Sequence, residues 1–167
     1  LGLVASFRQS NFLGRGQAVN VQLSTAETNR VFSFSFQEPQ FLGRDLGFGL
    51  NLDYSTTDNE NAFYDTETFR FKPSLTFPVS ENGRLQLFYA YNYENITDES
   101  DDASQLIKDD ADLGGIGSSS FGYGYSFDTR RTGLNPNAGV VFRFGQEFGF
   151  GDAQYIKTTA LAAAETK

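Results

Sequence analysis

The chain has 167 residues, among them 18 Phe, 8 Tyr and 17 Gly, and it contains no Cys, Met, Trp or His. The absence of Cys excludes disulfides and thiolate metal sites, the absence of His removes the usual general base of a hydrolase, and no apolar run approaches the roughly 20 residues of a membrane-spanning helix. The formal net charge of −8, with 13 Lys and Arg that are mostly isolated, argues against nucleic acid as a partner.

Apolar and polar residues alternate along most of the chain, which is typical of β-strands with one face of each kind. In the clearest segment, Phe32, Phe34 and Phe36 alternate with serines and with Gln37. Only in the Ala-rich tail after Thr158 is a helix an alternative to a strand. The alternation predicts an all-β fold, an antiparallel meander of about nine strands over residues 3–9, 17–25, 32–37, 46–54, 69–77, 84–93, 121–127, 140–145 and 154–163.

One face of each predicted strand is dense in Phe and Tyr, and the other is rich in Gly, Ser and Asn. Large apolar side chains outside and a polar lumen inside are typical of a transmembrane β-barrel, whose strands need about 9–11 residues. A soluble β-sandwich or lipocalin-like barrel is the alternative. The residues predicted to face lipid are Phe32, Phe34, Phe48, Phe71, Tyr89, Tyr91, Tyr123, Phe142 and Phe144.

The connections fall into two sets that alternate along the chain. The first set (11–16, 38–44, 81–83 and 129–137) is compact and rich in Gly and Pro, whereas the second (26–29, 55–65, 94–117 and 147–152) is more acidic and contains one long insertion. Short periplasmic turns opposite longer extracellular loops are expected of an outer-membrane barrel. The first set is therefore predicted to be periplasmic.

Charged residues offer few candidate sites. The acidic segment with Asp98, Glu99, Asp101, Asp102, Asp109, Asp110 and Asp112 has no EF-hand spacing and is interpreted as a solvated loop. Arg70, Lys72 and Arg143 lie on the polar faces of their strands, as lumen lining or as contacts for another segment. The sequence predicts no catalytic residue, no cofactor and no metal site.

Two nearly identical turns, Phe12-Leu13-Gly14-Arg15 and Phe41-Leu42-Gly43-Arg44, anchor a resemblance to a known family. With Asn11 and Gly16 around the first, and Pro39 before the second, they resemble turns at the start of the barrel in BamA-type outer-membrane protein assembly factors. Further along, a segment containing Asp128, Arg130, Pro136 and Gly139 resembles a later turn of that family, and Tyr155-Ile156-Lys157 resembles its next strand. The resemblance covers nearly the whole chain and looks closest to the alphaproteobacterial type.

The resemblance implies that residues 1–167 are the N-terminal half of the barrel domain, with strand 3–9 matching the family's second strand. The family's POTRA domains, its first strand and the loop with its V-R-G-(F/Y) motif would then lie outside this chain. It also implies a protein of the bacterial cell outer membrane that folds and inserts β-barrel proteins. Implied partners are outer-membrane lipids and lipopolysaccharide, the rest of its own barrel, client barrels and accessory lipoproteins. A small structural or porin-like barrel and a two-partner secretion transporter remain alternatives.

Overall fold

The computed structural model describes residues 2–59, 64–98, 105–106, 109, 114–130, 139–152 and 154–165. Within these ranges, no helix has the length and apolar character needed to cross a membrane. The nine predicted strands are confirmed. They are β1 (Leu3–Phe12), β2 (Gln17–Thr25), β3 (Asn29–Glu38), β4 (Gly47–Asn59), β5 (Tyr64–Pro78), β6 (Gly83–Asp98), β7 (Ile116–Asp128), β8 (Gly139–Gly151) and β9 (Tyr155–Glu165).

The strands form one antiparallel sheet in which each strand pairs with its neighbours in the sequence, in the order β1 to β9. This arrangement confirms the predicted meander. In the part of the chain that the structure describes, β1 and β9 are the two edges of the sheet and are not paired with each other. The sheet is therefore an open wall, and the geometry does not favour the alternative of a small closed barrel.

The strands are longer than the sequence predicted. Residues 55–65 were expected to form a connection, but Ser55–Asp58 pair with Asp65–Thr68, so β4 and β5 extend well into this segment. In the same way β6 continues to Asp98 and β8 to Gly151. At Ser55–Asp58 both faces of the strand are polar, so the apolar alternation stops although the backbone ladder continues. The extension of β8 differs, because Phe148 and Phe150 continue its apolar face. The Ala-rich tail is also strand, because β9 runs to Glu165 against β8.

The most buried side chains lie on one face of the sheet. Ala90 is 1% exposed and Ser120, its cross-strand partner, is 1% exposed, while Val141 on the same face is 3% exposed. The aromatic residues of the opposite face are half-buried or exposed. A soluble sandwich would bury its aromatic face against a second layer, and the described residues form a single sheet.

Candidate functional site: the two faces of the wall

The nine aromatic residues predicted to face lipid all lie on one face of the sheet. The pairing register decides this, because residues directly opposite each other in antiparallel strands point the same way. Phe34 pairs with Leu52, Leu52 with Phe71, and Phe71 with Tyr91. The same registers place Phe32, Phe48, Tyr89, Tyr123, Phe142 and Phe144 on this side, which we call the aromatic face.

Two pairs of polar side chains on the aromatic face are hydrogen-bonded to each other. The Tyr123 hydroxyl donates to Gln146 Oε1 at 2.5 Å, and Gln146 is the cross-strand partner of Tyr123. The hydroxyls of Tyr89 and Ser119 are 2.8 Å apart. Groups without a partner are costly where water is excluded, so this pairing suits a lipid environment. Their exposure to lipid stays a prediction.

The apolar part of the aromatic face is not uniform in height. On β2 it runs only from Val19 to Leu23, whereas on β8 it runs from Val140 to Phe150 with the interruption at Gln146. At about 3.3 Å per residue these spans measure about 13 Å and about 33 Å along the strand. With a tilt of about 40° they correspond to heights of about 10 Å and about 25 Å, and the larger value equals the lipid-facing band of an outer-membrane barrel.

The opposite face, which we call the polar face, has glycines covered by aromatic rings. The ring of Phe88 on β6 lies over Gly122 on β7, so that a Cβ built on Gly122 would come within 2.4 Å of Phe88 Cζ. Lys72 Nζ lies 4.5 Å from the centroid of the same ring. The cation, the ring and the glycine thus form a stack across β5, β6 and β7.

A second aromatic residue covers a glycine at the β8–β9 pair. Tyr155 lies over Gly149, its cross-strand partner, with ring carbon Cε1 2.2 Å from the position of an added Cβ. Its hydroxyl donates to Glu147 Oε1 at 2.7 Å. Removing the side chain from one strand makes room for a ring from the next, which locks the register of the two strands.

The first repeated turn joins β1 to β2 with its residues fixed by local hydrogen bonds. The Gly16 amide donates to Asn11 Oδ1 at 2.6 Å, and the Gly14 amide donates to the Asn11 carbonyl at 3.2 Å. Leu13, Gly14 and Gly16 all have positive φ, of 55°, 69° and 73°. The glycines fit these angles without strain, whereas the leucine does not.

The second repeated turn joins β3 to β4 and contacts the first. Phe41 stacks on Phe48 with ring centroids 5.1 Å apart and an interplanar angle of 27°. Pro39 Cγ lies 3.7 Å from the position of a Cβ on Gly16. The two predicted turn motifs therefore lie side by side at one end of the sheet.

The third predicted motif closes the β7–β8 connection. Arg130 binds Asp128 through two side-chain bonds, from Nε to Oδ1 at 3.2 Å and from Nη2 to Oδ2 at 3.0 Å. Gly139 begins β8 so close to Arg130 that a Cβ there would lie 2.6 Å from Arg130 Cγ. Pro136 lies outside the described residues.

The remaining charged residues are spread out. Of the acidic segment, only the backbone of Asp98 and the residue Asp109 fall within the described ranges, so the loop interpretation stays a prediction. Arg143 is exposed on the polar face, beside Ser126. No group of His, Cys, Asp or Glu among the described residues is arranged to hold a metal ion.

The family described as the Omp85 superfamily domain matches residues 11–165. The chain belongs to the Omp85 superfamily. Two curated relatives of this Omp85 chain are named outer membrane protein assembly factor BamA. The one from Neorickettsia risticii is 23% identical over 92% of this chain and 21% of its own length, and the one from Nitratidesulfovibrio vulgaris is 26% identical over 93% and 20%.

A solved structure shares the fold. The crystal structure of BamA from Haemophilus ducreyi lacking POTRA domains 1–3 superimposes with a TM-score of 0.56 at 21% identity, covering 92% of this chain and 32% of that one. The resemblance to BamA-type proteins is thereby confirmed, and the nine strands are part of a bacterial outer-membrane barrel. The chain spans about a fifth of the length of the two curated relatives.

The ring-over-glycine contacts of this Omp85 chain were missed by the sequence reasoning. Alternation along strand 84–93 puts Phe88 on the polar face, as the register confirms, but alternation alone gives this ring no role. The available signal was an aromatic residue on a polar face together with a glycine on the next strand. Using that signal requires the register, because a slip of one residue would move every side chain to the opposite face.

Proposed function

We propose that this chain forms part of the barrel wall of a factor that folds and inserts β-barrel proteins into the outer membrane. Membership of the Omp85 superfamily and similarity to two BamA proteins support the proposal. The observation that carries it is the narrowing of the apolar face from β8 to β2. The chain acts by changing the thickness of the lipid layer next to it, and we propose no catalytic centre and no cofactor for it.

The narrow side gives a physical route to assisted insertion. Lipids next to a protein adjust the thickness of their acyl region to the apolar height they meet, at a cost of fractions of a kcal/mol per Å. An apolar height of about 10 Å at β2 would thin a layer whose normal thickness is about 30 Å. A client strand crossing the thinned region would expose fewer unpaired backbone groups to hydrocarbon.

By the family resemblance, the thin region would lie close to the family's gate strand, which is the open edge of the barrel. Residues 3–9 resemble the family's second strand, so the edge of β1 would pair with the family's gate strand. An open edge presents unpaired N–H and C=O groups that another strand can bind by β-augmentation. We propose that client barrels pair with the edge in this region. The other proposed partners are the rest of the barrel, accessory lipoproteins, outer-membrane lipids and lipopolysaccharide.

The experiment is to widen the apolar face where it is narrow. Thr25 and Arg30 are cross-strand partners on the aromatic face, and they form the next row on that face, two residues beyond Leu23 and Phe32. The double substitution Thr25→Leu with Arg30→Leu adds one row of apolar side chains and raises the apolar height by about 5 Å. The lipid beside β2 is then thinned less, and its deformation free energy falls by about 1 kcal/mol. The rate of client insertion into proteoliposomes should fall about fivefold.

The control is Thr158→Leu on β9, where the aromatic face is already tall. It adds apolar surface on the same face, from one leucine instead of two, without moving the border of the apolar band. We expect wild-type insertion rates from it. Equal rates for the double variant, the control and the wild-type protein, with all three folded, would overturn the proposal that the narrow face assists insertion.

A further inference from the structure

The two turns with the sequence Phe-Leu-Gly-Arg, Phe12–Arg15 and Phe41–Arg44, share one backbone geometry; we call them the FLGR turns. Leu13 and Leu42 have φ of 55° and 57°, and the glycines that follow have φ of 69° and 67°. In each turn the Arg amide donates to the Phe carbonyl at 3.3 Å. These are type I′ turns, whose first central position is normally Asn, Asp or Gly.

Leucine is a poor residue for that position on two grounds. Its Cβ crowds the following carbonyl when φ is positive, so the backbone is strained. Its side chain is also left in the open, because Leu13 is 71% and Leu42 is 77% exposed. Folding alone explains neither the strain nor the exposure, and both occur twice. Strain that the fold does not need points to a function at the strained residue.

The FLGR turns lie at the border of the aromatic face. Phe41 stacks on Phe48, which belongs to that face. A bulge between Gln9 and Phe12 shifts the register of β1, and Phe12 then pairs with Gln17 on the aromatic side of β2. The Gln17 side chain donates to Glu38 Oε2 at 2.5 Å, which ties the two turns together. Leu42 thus lies at the end of the apolar face of β4, and Leu13 lies in the neighbouring turn, beyond the polar pair of Gln17 and Glu38.

Each leucine is followed two residues later by an exposed arginine. Neither Arg15 nor Arg44 makes a salt bridge with any residue in the described ranges. An apolar tip beside a free cation, at the edge of an apolar face, complements a lipid interface, in which acyl chains lie next to phosphate groups. A protein partner would not require continuity with the aromatic face, whereas a bilayer does.

We propose that the FLGR turns are a paired lipid anchor that binds phospholipids of the leaflet at the turn end of the barrel. Leu13 and Leu42 enter the acyl region, and Arg15 and Arg44 bind headgroup phosphates. The anchor fixes the bilayer to the side of the wall where the apolar band is narrowest. This inference rests on the proposed placement of the aromatic face in lipid.

The test uses spin labels on the full-length polypeptide in vesicles of phosphatidylethanolamine and phosphatidylglycerol. Labels are placed by Leu13→Cys and Leu42→Cys; this chain contributes no other thiol, and any Cys in the rest of the polypeptide is replaced by Ser. Ser80→Cys, in the exposed turn between β5 and β6 at the same end, is the matched control. The logarithm of the ratio of oxygen to nickel-chelate accessibility should be positive at positions 13 and 42 and negative at position 80.

A label at Phe34→Cys separates the two proposals. If position 34 reads as lipid while positions 13 and 42 read as water, the anchor is overturned and the proposed function stands. If position 34 also reads as water, the placement of the aromatic face has failed. Burial of positions 13 and 42 only after an accessory protein is added would also overturn the anchor, because it would identify a protein-docking surface.

The arginines are tested in the same labelled proteins. Arg15→Gln with Arg44→Gln should move the label at position 42 toward water, and the corresponding lysine substitutions should retain its depth. Inorganic phosphate added to detergent micelles should not reproduce the effect of the vesicles. No shift on removing both charges would overturn the phosphate contact.

Discussion

Gly122 offers the sharpest test of how the polar face is held together. A Cβ at this position would lie 2.4 Å from Phe88 Cζ and 2.7 Å from the carbonyl oxygen of Gln146. In Gly122→Ala the Phe88 ring must leave its place and the β7–β8 ladder must open slightly. Overpacking costs about 1–3 kcal/mol, and loss of the contact between Lys72 and the ring adds about 0.5–1 kcal/mol. We expect the free energy of unfolding to fall by about 2 kcal/mol.

Gly124→Ala is the matched control. Gly124 lies on the same strand and the same face, two residues along, and an added Cβ would meet nothing within 4 Å. Its free energy of unfolding should stay constant or rise by about 0.5 kcal/mol, because alanine restricts the unfolded chain. The assay is urea unfolding of the full-length polypeptide in detergent, followed by far-UV circular dichroism. Equal midpoints for the two variants would refute the packing argument.

Three further predictions concern other contacts. Gly139→Ala should lower the free energy of unfolding by about 1–3 kcal/mol in the same urea assay, because the new methyl group would lie 2.7 Å from the Arg130 Cα; a value equal to that of the wild-type protein would contradict the close approach. Tyr155→Phe retains the ring over Gly149 but removes the 2.7 Å bond to Glu147, so we expect a loss of about 1–2 kcal/mol in that assay, and no loss would mean that water replaces the hydroxyl. Substituting Asn for the leucine of both FLGR turns should raise stability in detergent by about 1 kcal/mol per turn, because Asn tolerates positive φ. Thermal unfolding of that double variant would contradict the strain argument if it came at or below the wild-type temperature.

The sequence alone was sufficient for the architecture because its strongest signal has period two. Alternation of the kind seen at Phe32, Phe34 and Phe36 identifies a strand and divides its faces before any pairing is known. It fails at Ser55–Asp58, where both faces are polar and the strand is held by backbone pairing with β5. Strand ends beyond the apolar band were therefore invisible, and β4, β5 and β6 were predicted too short.

The contacts on the polar face depend on register, which a single sequence does not specify. Alternation with Tyr89 and Tyr91 puts Phe88 on the polar face, but its position over Gly122 depends on the offset between β6 and β7. The bulge that turns Phe12 onto the aromatic face is a further case, since simple alternation from Phe7 places Phe12 on the opposite side. Turn motifs were easier, because positive φ at Gly14 and Gly16 is a local requirement written in the sequence.

The two sides of the wall differ in how many of their glycines are covered by aromatic rings. Aromatic rings lie within 4 Å of a Cβ added at glycine positions 83, 115, 117, 122 and 149, all on β6, β7, β8 or the segment just before β7, whereas the glycines that the structure describes from β1 to β4 have no aromatic ring within that distance. The apolar band is also tallest at β8 and short at β2. Fewer interlocking contacts permit local opening at lower free energy. Both β2 and β8 are paired with a strand on each side, so their exchange can be compared. Amide hydrogen exchange of the full-length polypeptide in vesicles should be faster in β2 than in β8. Equal protection would mean that the contacts between rings and glycines do not stabilise the wall against local opening. Thinning of the lipid beside β2 would then have to assist insertion without local opening of the protein.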